Sequence, residues 1–135
     1  MDGFLLEIIT PGKQFFKGEA EQIICQTDNG EIGILKGHMT MVAALSIGEI
    51  KIKRDGEWKS AFISGGFMEV RRDEVLVFSR CCEWPEEIDA ARAEQARKIA
   101  LERLEHAENI KEHQSNEIFL ARSLARLKLK NSKPR

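Results

Sequence analysis

Asp89 and Arg92 stand three residues apart, and Arg122 and Arg126 stand four apart. On a helix either spacing puts both side chains on one face, so the first pair can meet as ions and the second offers two guanidinium forks in line. Guanidinium forks suit phosphate oxygens better than the point charge of lysine, because each presents paired donors in a fixed plane. The same spacings also describe a solvated helix face with one surface ion pair, worth about 0.2–0.5 kcal/mol. After Glu117 come six basic residues (Arg122, Arg126, Lys128, Lys130, Lys133 and Arg135) and no acidic one. A Gly-x-x-x-x-Gly-Lys-Ser/Thr run is absent, which excludes a phosphate-cradling loop of that type. His38, His106 and His113 have no convincing nucleophile and orienting acid around them, so no catalytic residue is assigned. Cys25, Cys81 and Cys82 are an odd set with two adjacent members; they suit neither a disulfide framework nor a metal site and read as reduced thiols.

The elements that must position these residues change character near Trp84-Pro85. No glycine follows Gly66. Before the change, short β-branched or alternating segments at 4–10, 20–27, 48–54, 58–64, 67–71 and 75–79 predict strands. Asp55-Gly56 between two of them is a hairpin signal, because both central positions tolerate positive φ; Arg72-Asp73 suggests another. Strands at this spacing predict a β-sandwich over residues 1–84. From Pro85 the period becomes helical. Pro85-Glu86-Glu87 reads as a helix start, and Ala93, Ala96, Ala100, Leu104 and Ala107 form a stripe of mostly small side chains. A second helix is expected from about Ser115-Asn116, with Leu120, Leu124 and Leu127 on its apolar face and a turn within 108–114. Residues 85–135 therefore read as an antiparallel two-helix hairpin. An alanine-lined seam buries little area, so the hairpin should be marginal and a ligand or partner could decide its shape.

Composition narrows the class. The 135 residues are 42% hydrophobic and 32% charged with a formal net charge of -1, the balance of a soluble domain with no overall field for nucleic acid or anionic membrane. No apolar run approaches the ~20 residues that cross a bilayer, and Met1-Asp2-Gly3-Phe4 lacks the basic start of a secretory signal; direct membrane insertion is not expected.

Two segments carry a family resemblance. Residues 30–45 read Gly30-Glu31-Ile32-Gly33-Ile34-Leu35-Lys36-Gly37-His38-Met39-Thr40-Met41-Val42-Ala43-Ala44-Leu45, and residues 64–70 read Ser64-Gly65-Gly66-Phe67-Met68-Glu69-Val70. They are similar to the two signatures of the ε subunits of F-type ATP synthases, and the order of sandwich and helical hairpin agrees along essentially the whole chain. The resemblance implies a non-catalytic rotor subunit of the central stalk, peripheral at the cytoplasmic face of the cell membrane. It implies contacts with the γ subunit, the c ring, and the catalytic α and β subunits. Glu31 and His38 are then candidates for the c-ring contact. Ile88-Asp89-Ala90-Ala91-Arg92-Ala93 resembles the I/L-D-x-x-R-A motif of the ε subunits that bind ATP. On that resemblance Glu83, Ile88, Asp89, Arg92, Ala93, Arg122 and Arg126 would hold ATP, alone or with Mg²⁺, as a regulatory ligand. Arg122, Arg126, Lys128 and Lys130 would form the inhibitory helix when the hairpin extends, restraining ATP hydrolysis; no metal ligand is assigned.

Other readings stay open on the residues alone. A basic final helix fits a nucleic-acid module, although interleaved aromatics are missing and the chain has no tyrosine. A stand-alone interaction scaffold fits as well.

Overall fold

The computed structural model describes residues 3–132. Eight strands precede the helices: β1 Phe4–Thr10, β2 Lys13–Ala20, β3 Gln22–Thr27, β4 Gly30–Leu35, β5 Met41–Arg54, β6 Glu57–Val70, β7 Glu74–Phe78 and β8 Cys82–Glu83. Period-two alternation drives them. In β1, Phe4, Leu6 and Ile8 are buried, while Ile23 and Cys25 of β3 and Ile50 and Ile52 of β5 turn to the same core. The strands follow the order β2-β1-β7-β6-β5-β3-β4, with β8 added beside β6 and β1 parallel to β7. The result is the expected β-sandwich followed by two helices.

Two long strands make the sandwich possible. The sequence suggests separate strands at 58–64 and 67–71, but β6 runs unbroken through both. Its first part pairs with β8 and its last part with β7, so one strand serves both layers. The crossing falls at Gly65 and Gly66, with φ of +87° and +133°. Glycine bends the strand here without ending it. Likewise Gly33 lies inside β4, whereas Gly30 and Gly37 at its two ends take positive φ, +109° and +85°. The Asp55-Gly56 hairpin forms as expected, with both residues at positive φ and Arg54 opposite Glu57.

The helical part starts later than its composition suggests. Pro85–Glu87 is a single 3₁₀ turn, and α1 spans Ala90–Glu105 with Asp89 as its N-cap. α2 spans Ile110–Asn131 and begins earlier than the expected Ser115-Asn116. Asn109 explains this: its side chain accepts the Glu112 N–H at 2.8 Å, capping the helix ahead of a polar stretch. The seam uses small residues, as expected for α1, where Ala93 and Ala100 are buried. On α2 the buried positions are Ser123 and Leu129, whereas Leu124 of the expected leucine stripe is 49% exposed. That face is decided by docking on the sandwich.

Trp84 joins the two parts. Its ring stacks on Phe15 at 4.6 Å between centroids and meets the edge of Phe16 at 6.3 Å, fixing the strand exit from which the helices start.

Candidate functional site

The C-terminal half of α2 lies over the outer face formed by β5, β6 and β8. Register builds that face: Phe62 of β6 stands opposite Glu49 of β5 and Glu83 of β8, so their side chains emerge on one side. Phe62, Ile88 and Leu129 form a buried cluster there, flanked by Ile47, Cys81 and Ala125. Ile88 sits between the 3₁₀ turn and α1, so this cluster anchors both helices.

Arg126 is the polar centre of the joint. Its Nε donates to Glu83 Oε1 at 2.5 Å, its Nη2 lies 3.6 Å from Cys81 Sγ, and its guanidinium covers the Phe62 ring at 4.5 Å. Both partners of the ion pair are 28% exposed, so solvent screening trims a charge-assisted hydrogen bond to about 1–2 kcal/mol. One turn earlier, Arg122 is half-buried, and its Nε is shielded from solvent with no hydrogen-bond partner among the described residues. A stranded donor of this kind costs about 1–3 kcal/mol, which makes it a place where an acceptor would be welcome. Farther along, Lys130 Nζ donates to the Pro85 carbonyl at 2.9 Å, tying the end of α2 to the linker.

At the start of α1 the geometry corrects a sequence expectation. Asp89 and Arg92 do not pair as ions along a helix face. Asp89 precedes the helix, and its carboxylate accepts the Arg92 backbone N–H at 3.0 Å as the N-cap. The Arg92 side chain is exposed, while Ala93 is buried in the seam. Counted from the 106–109 turn at 1.5 Å per residue, Arg92 and Arg122 both lie roughly 20 Å along their helices. The antiparallel arrangement thus brings Arg92 level with Arg122, and Asp89 level with Arg126. Of the seven residues assigned to a ligand, Glu83 and Arg126 meet directly in the joint, and Ile88 packs there with Phe62 and Leu129.

Glu31 and His38 form no shared contact. Glu31 is the second residue of β4, exposed and opposite Gln26, whereas His38 lies beyond the far end of that strand, about 13 Å or more away by strand rise. His38 Nδ1 is 2.9 Å from the Met39 carbonyl oxygen, which places a proton on that nitrogen. What polar residues alone did not reveal is the apolar surface beside His38. Met39 is 73% exposed and Val42 68% exposed, and register puts Val42, Ala44 and Phe67 on one sheet face. Apolar side chains at these alternate positions are the signal that was present in the sequence.

The thiols divide by environment. Burial pushes Cys25 up to about 12 and Cys82 up to about 11, so both stay protonated at neutral pH and pack as small apolar groups. Cys81 is partly exposed beside Arg126.

Comparison with known proteins agrees along the chain. Residues 4–85 match the family model of the ATP synthase delta/epsilon chain β-sandwich domain, and residues 86–131 match that of the delta/epsilon chain long α-helix domain. The chain is 49% identical over 127 residues to the ATP synthase epsilon chain of Caldanaerobacter subterraneus subsp. tengcongensis, covering 93% of this chain and 92% of that one. It is 42% identical over 129 residues to the ATP synthase epsilon chain of Caldicellulosiruptor bescii, covering 96% and 94%. A chain of the Euglena gracilis mitochondrial ATP synthase structure shares the fold at a TM-score of 0.81 and 23% identity, over 93% of this chain and 79% of that one. A chain of the Tetrahymena thermophila mitochondrial ATP synthase central stalk and c-ring structure does so at 0.72 and 16%, over 94% and 96%.

Proposed function

The chain belongs to the ATP synthase epsilon-chain family, and from that premise we propose that it is a non-catalytic central-stalk subunit whose hairpin is an ATP-sensitive brake on hydrolysis. The sandwich stands on the c ring and packs against γ, coupling rotation to ATP synthesis. Its contact surface gathers His38 with the exposed apolar side chains of Met39, Val42 and Phe67, and Glu31, set apart on β4, makes a separate contact. In the closed form described above, α2 is held to the sandwich. In the extended form its basic residues Arg122, Arg126, Lys128 and Lys130 engage acidic surface of the catalytic subunits. The closed complex lies at the cytoplasmic face of the membrane as a peripheral part. No helix among the described residues is long and apolar enough to cross a membrane.

The observation that carries the ligand reading is the partnerless Nε of Arg122, one turn from Arg126 and level with Arg92. ATP supplies the missing acceptors. Its phosphate oxygens accept from Arg92 and Arg122, and the Asp89 carboxylate has a second oxygen for an amino or hydroxyl donor. Ile88 and Ala93 bound the apolar side. Arg126 is already held by Glu83, so its share in the ligand requires that pair to loosen. ATP then favours closure only through its higher affinity for the closed form.

Titration calorimetry with the full chain tests this. Arg122→Ala should cut ATP affinity at least tenfold while leaving the ligand-free hairpin as stable as before or slightly more so, because it removes a stranded donor. Asp89→Asn combined with Arg92→Ala should cut affinity similarly; asparagine keeps the helix cap, so the loss reports the ligand contact. Unchanged binding heats in both variants would contradict the site.

A further inference from the structure

A cleft of about 590 Å³ opens where the last turn of α2 overhangs the outer face of the sandwich. Lys51 on β5 and Lys59 on β6 line it from the sheet, Lys128 and Lys130 line it from α2, and Trp58 and Trp84 complete its wall. We propose that this cleft is a second anion site, separate from the arginine site, that takes a small di- or triphosphate and bridges α2 to the sandwich.

The lysines are unevenly committed. Lys130 donates to Pro85, and Lys59 Nζ lies 4.9 Å from the centre of the Trp84 ring. Lys51 and Lys128 have no carboxylate within 4.0 Å and no ring or hydrogen-bond partner among the described residues. One comes from each structural unit, so closing the hairpin brings two uncompensated ammonium groups towards one space. Glu31, Glu49 and Glu86 also line the cleft, which leaves it with a small positive surplus. Attraction for an anion therefore arises from the local convergence of Lys51 and Lys128. A phosphate chain between them relieves the repulsion and accepts charge-assisted hydrogen bonds from both sides. Because the bridge needs both units, the anion binds the closed form selectively and draws the population towards it. Trp58 is half-buried, with Lys53 Nζ 6.0 Å from its ring centre. A planar base attached to the phosphate chain has a stacking surface there.

The readout is built in. Trp58 and Trp84 are the 2 tryptophans of a chain with no tyrosine, so intrinsic fluorescence reports on this cleft. The full chain is titrated with pyrophosphate, and separately with ATP, at low constant ionic strength with chloride as the control anion. The helical melting midpoint is followed alongside. Pyrophosphate should give a saturable fluorescence change and a higher midpoint. Both should persist in the chain carrying Asp89→Asn and Arg92→Ala, and weaken at least tenfold in the chain carrying Lys51→Ala and Lys128→Ala. In the Asp89/Arg92 variant, ATP binding more tightly than pyrophosphate assigns the base to the Trp58 side, and equal binding assigns the cleft to phosphate alone. The proposal is overturned if neither readout saturates in the parent chain, or if the lysine variant titrates like the parent. Loss of ATP binding at the arginine site leaves this outcome unaffected, so the two sites fail separately.

Discussion

Gly66→Ala is expected to destabilise the sandwich by about 3 kcal/mol or more. A Cβ built at this position falls 1.9 Å from the Phe78 carbonyl oxygen and 2.9 Å from its carbon, both backbone atoms. The residue also has φ +133°, where L side chains are strained even in open space. Moving Phe78 away would break the pairing of β7 with β6, where Phe67 stands opposite Phe78 and the two rings stack at 4.9 Å. Strain and lost packing therefore add at one place. Gly12→Ala is the control, because nothing lies within 4 Å of its Cβ position and its φ is ordinary. Urea denaturation should show a large fall in midpoint for Gly66→Ala and almost none for Gly12→Ala. Equal midpoints would mean that the strand bend relaxes at no cost.

Arg126→Ala should release the hairpin while sparing the sandwich. The substitution removes the hydrogen bond to Glu83 and the guanidinium cover on Phe62. A screened charge-assisted bond of about 1–2 kcal/mol and a cation–π contact of about 0.5–1 kcal/mol together give about 1.5–3 kcal/mol. Glu83 is left facing an aromatic ring without its cation, which adds to the loss. For a unit of this size the helical transition should fall by roughly 10–20 °C and separate from the sandwich transition in circular dichroism. Glu83→Gln keeps an acceptor and should lose about half as much. A double-mutant cycle between the two positions should show a coupling of about 1 kcal/mol or more. Coupling near zero would assign the joint to Ile88, Leu129 and Phe62 alone. Arg126 and Arg122 thus have opposite expected effects on the ligand-free hairpin, though both are arginines on one helix face.

Much of the fold is written locally. Asp55-Gly56 specifies its hairpin because the turn type demands positive φ at both residues, and the alternation in 4–10 specifies which side of β1 is buried. Local chemistry fails where tertiary contact decides. Ser64-Gly65-Gly66 looks like a strand break, yet the close passage of Phe78 turns it into the bend of a continuous strand. Pro85 looks like the first turn of α1, yet Asp89 caps the helix four residues later. Leu124 fits an apolar stripe, yet the sandwich claims the face that carries Ser123 and Leu129, leaving Leu124 outside. The site divides in the same way. Asp89, Arg92, Arg122 and Arg126 are legible through spacing and family motif. The partners that Arg126 actually holds, Glu83, Cys81 and Phe62, lie some forty residues or more earlier in the chain, and helical spacing says nothing about them.

The hairpin as an ATP-held brake is tested most directly by backbone amide exchange in residues 122–131 of the full chain. With ATP at about 100 times its dissociation constant, closure gains up to about 2.7 kcal/mol, so exchange through undocking should slow by up to about 100-fold. The account predicts that slowing in the parent chain and its loss in Arg122→Ala. Identical exchange with and without ATP, at nucleotide concentrations where calorimetry shows saturation, would contradict it.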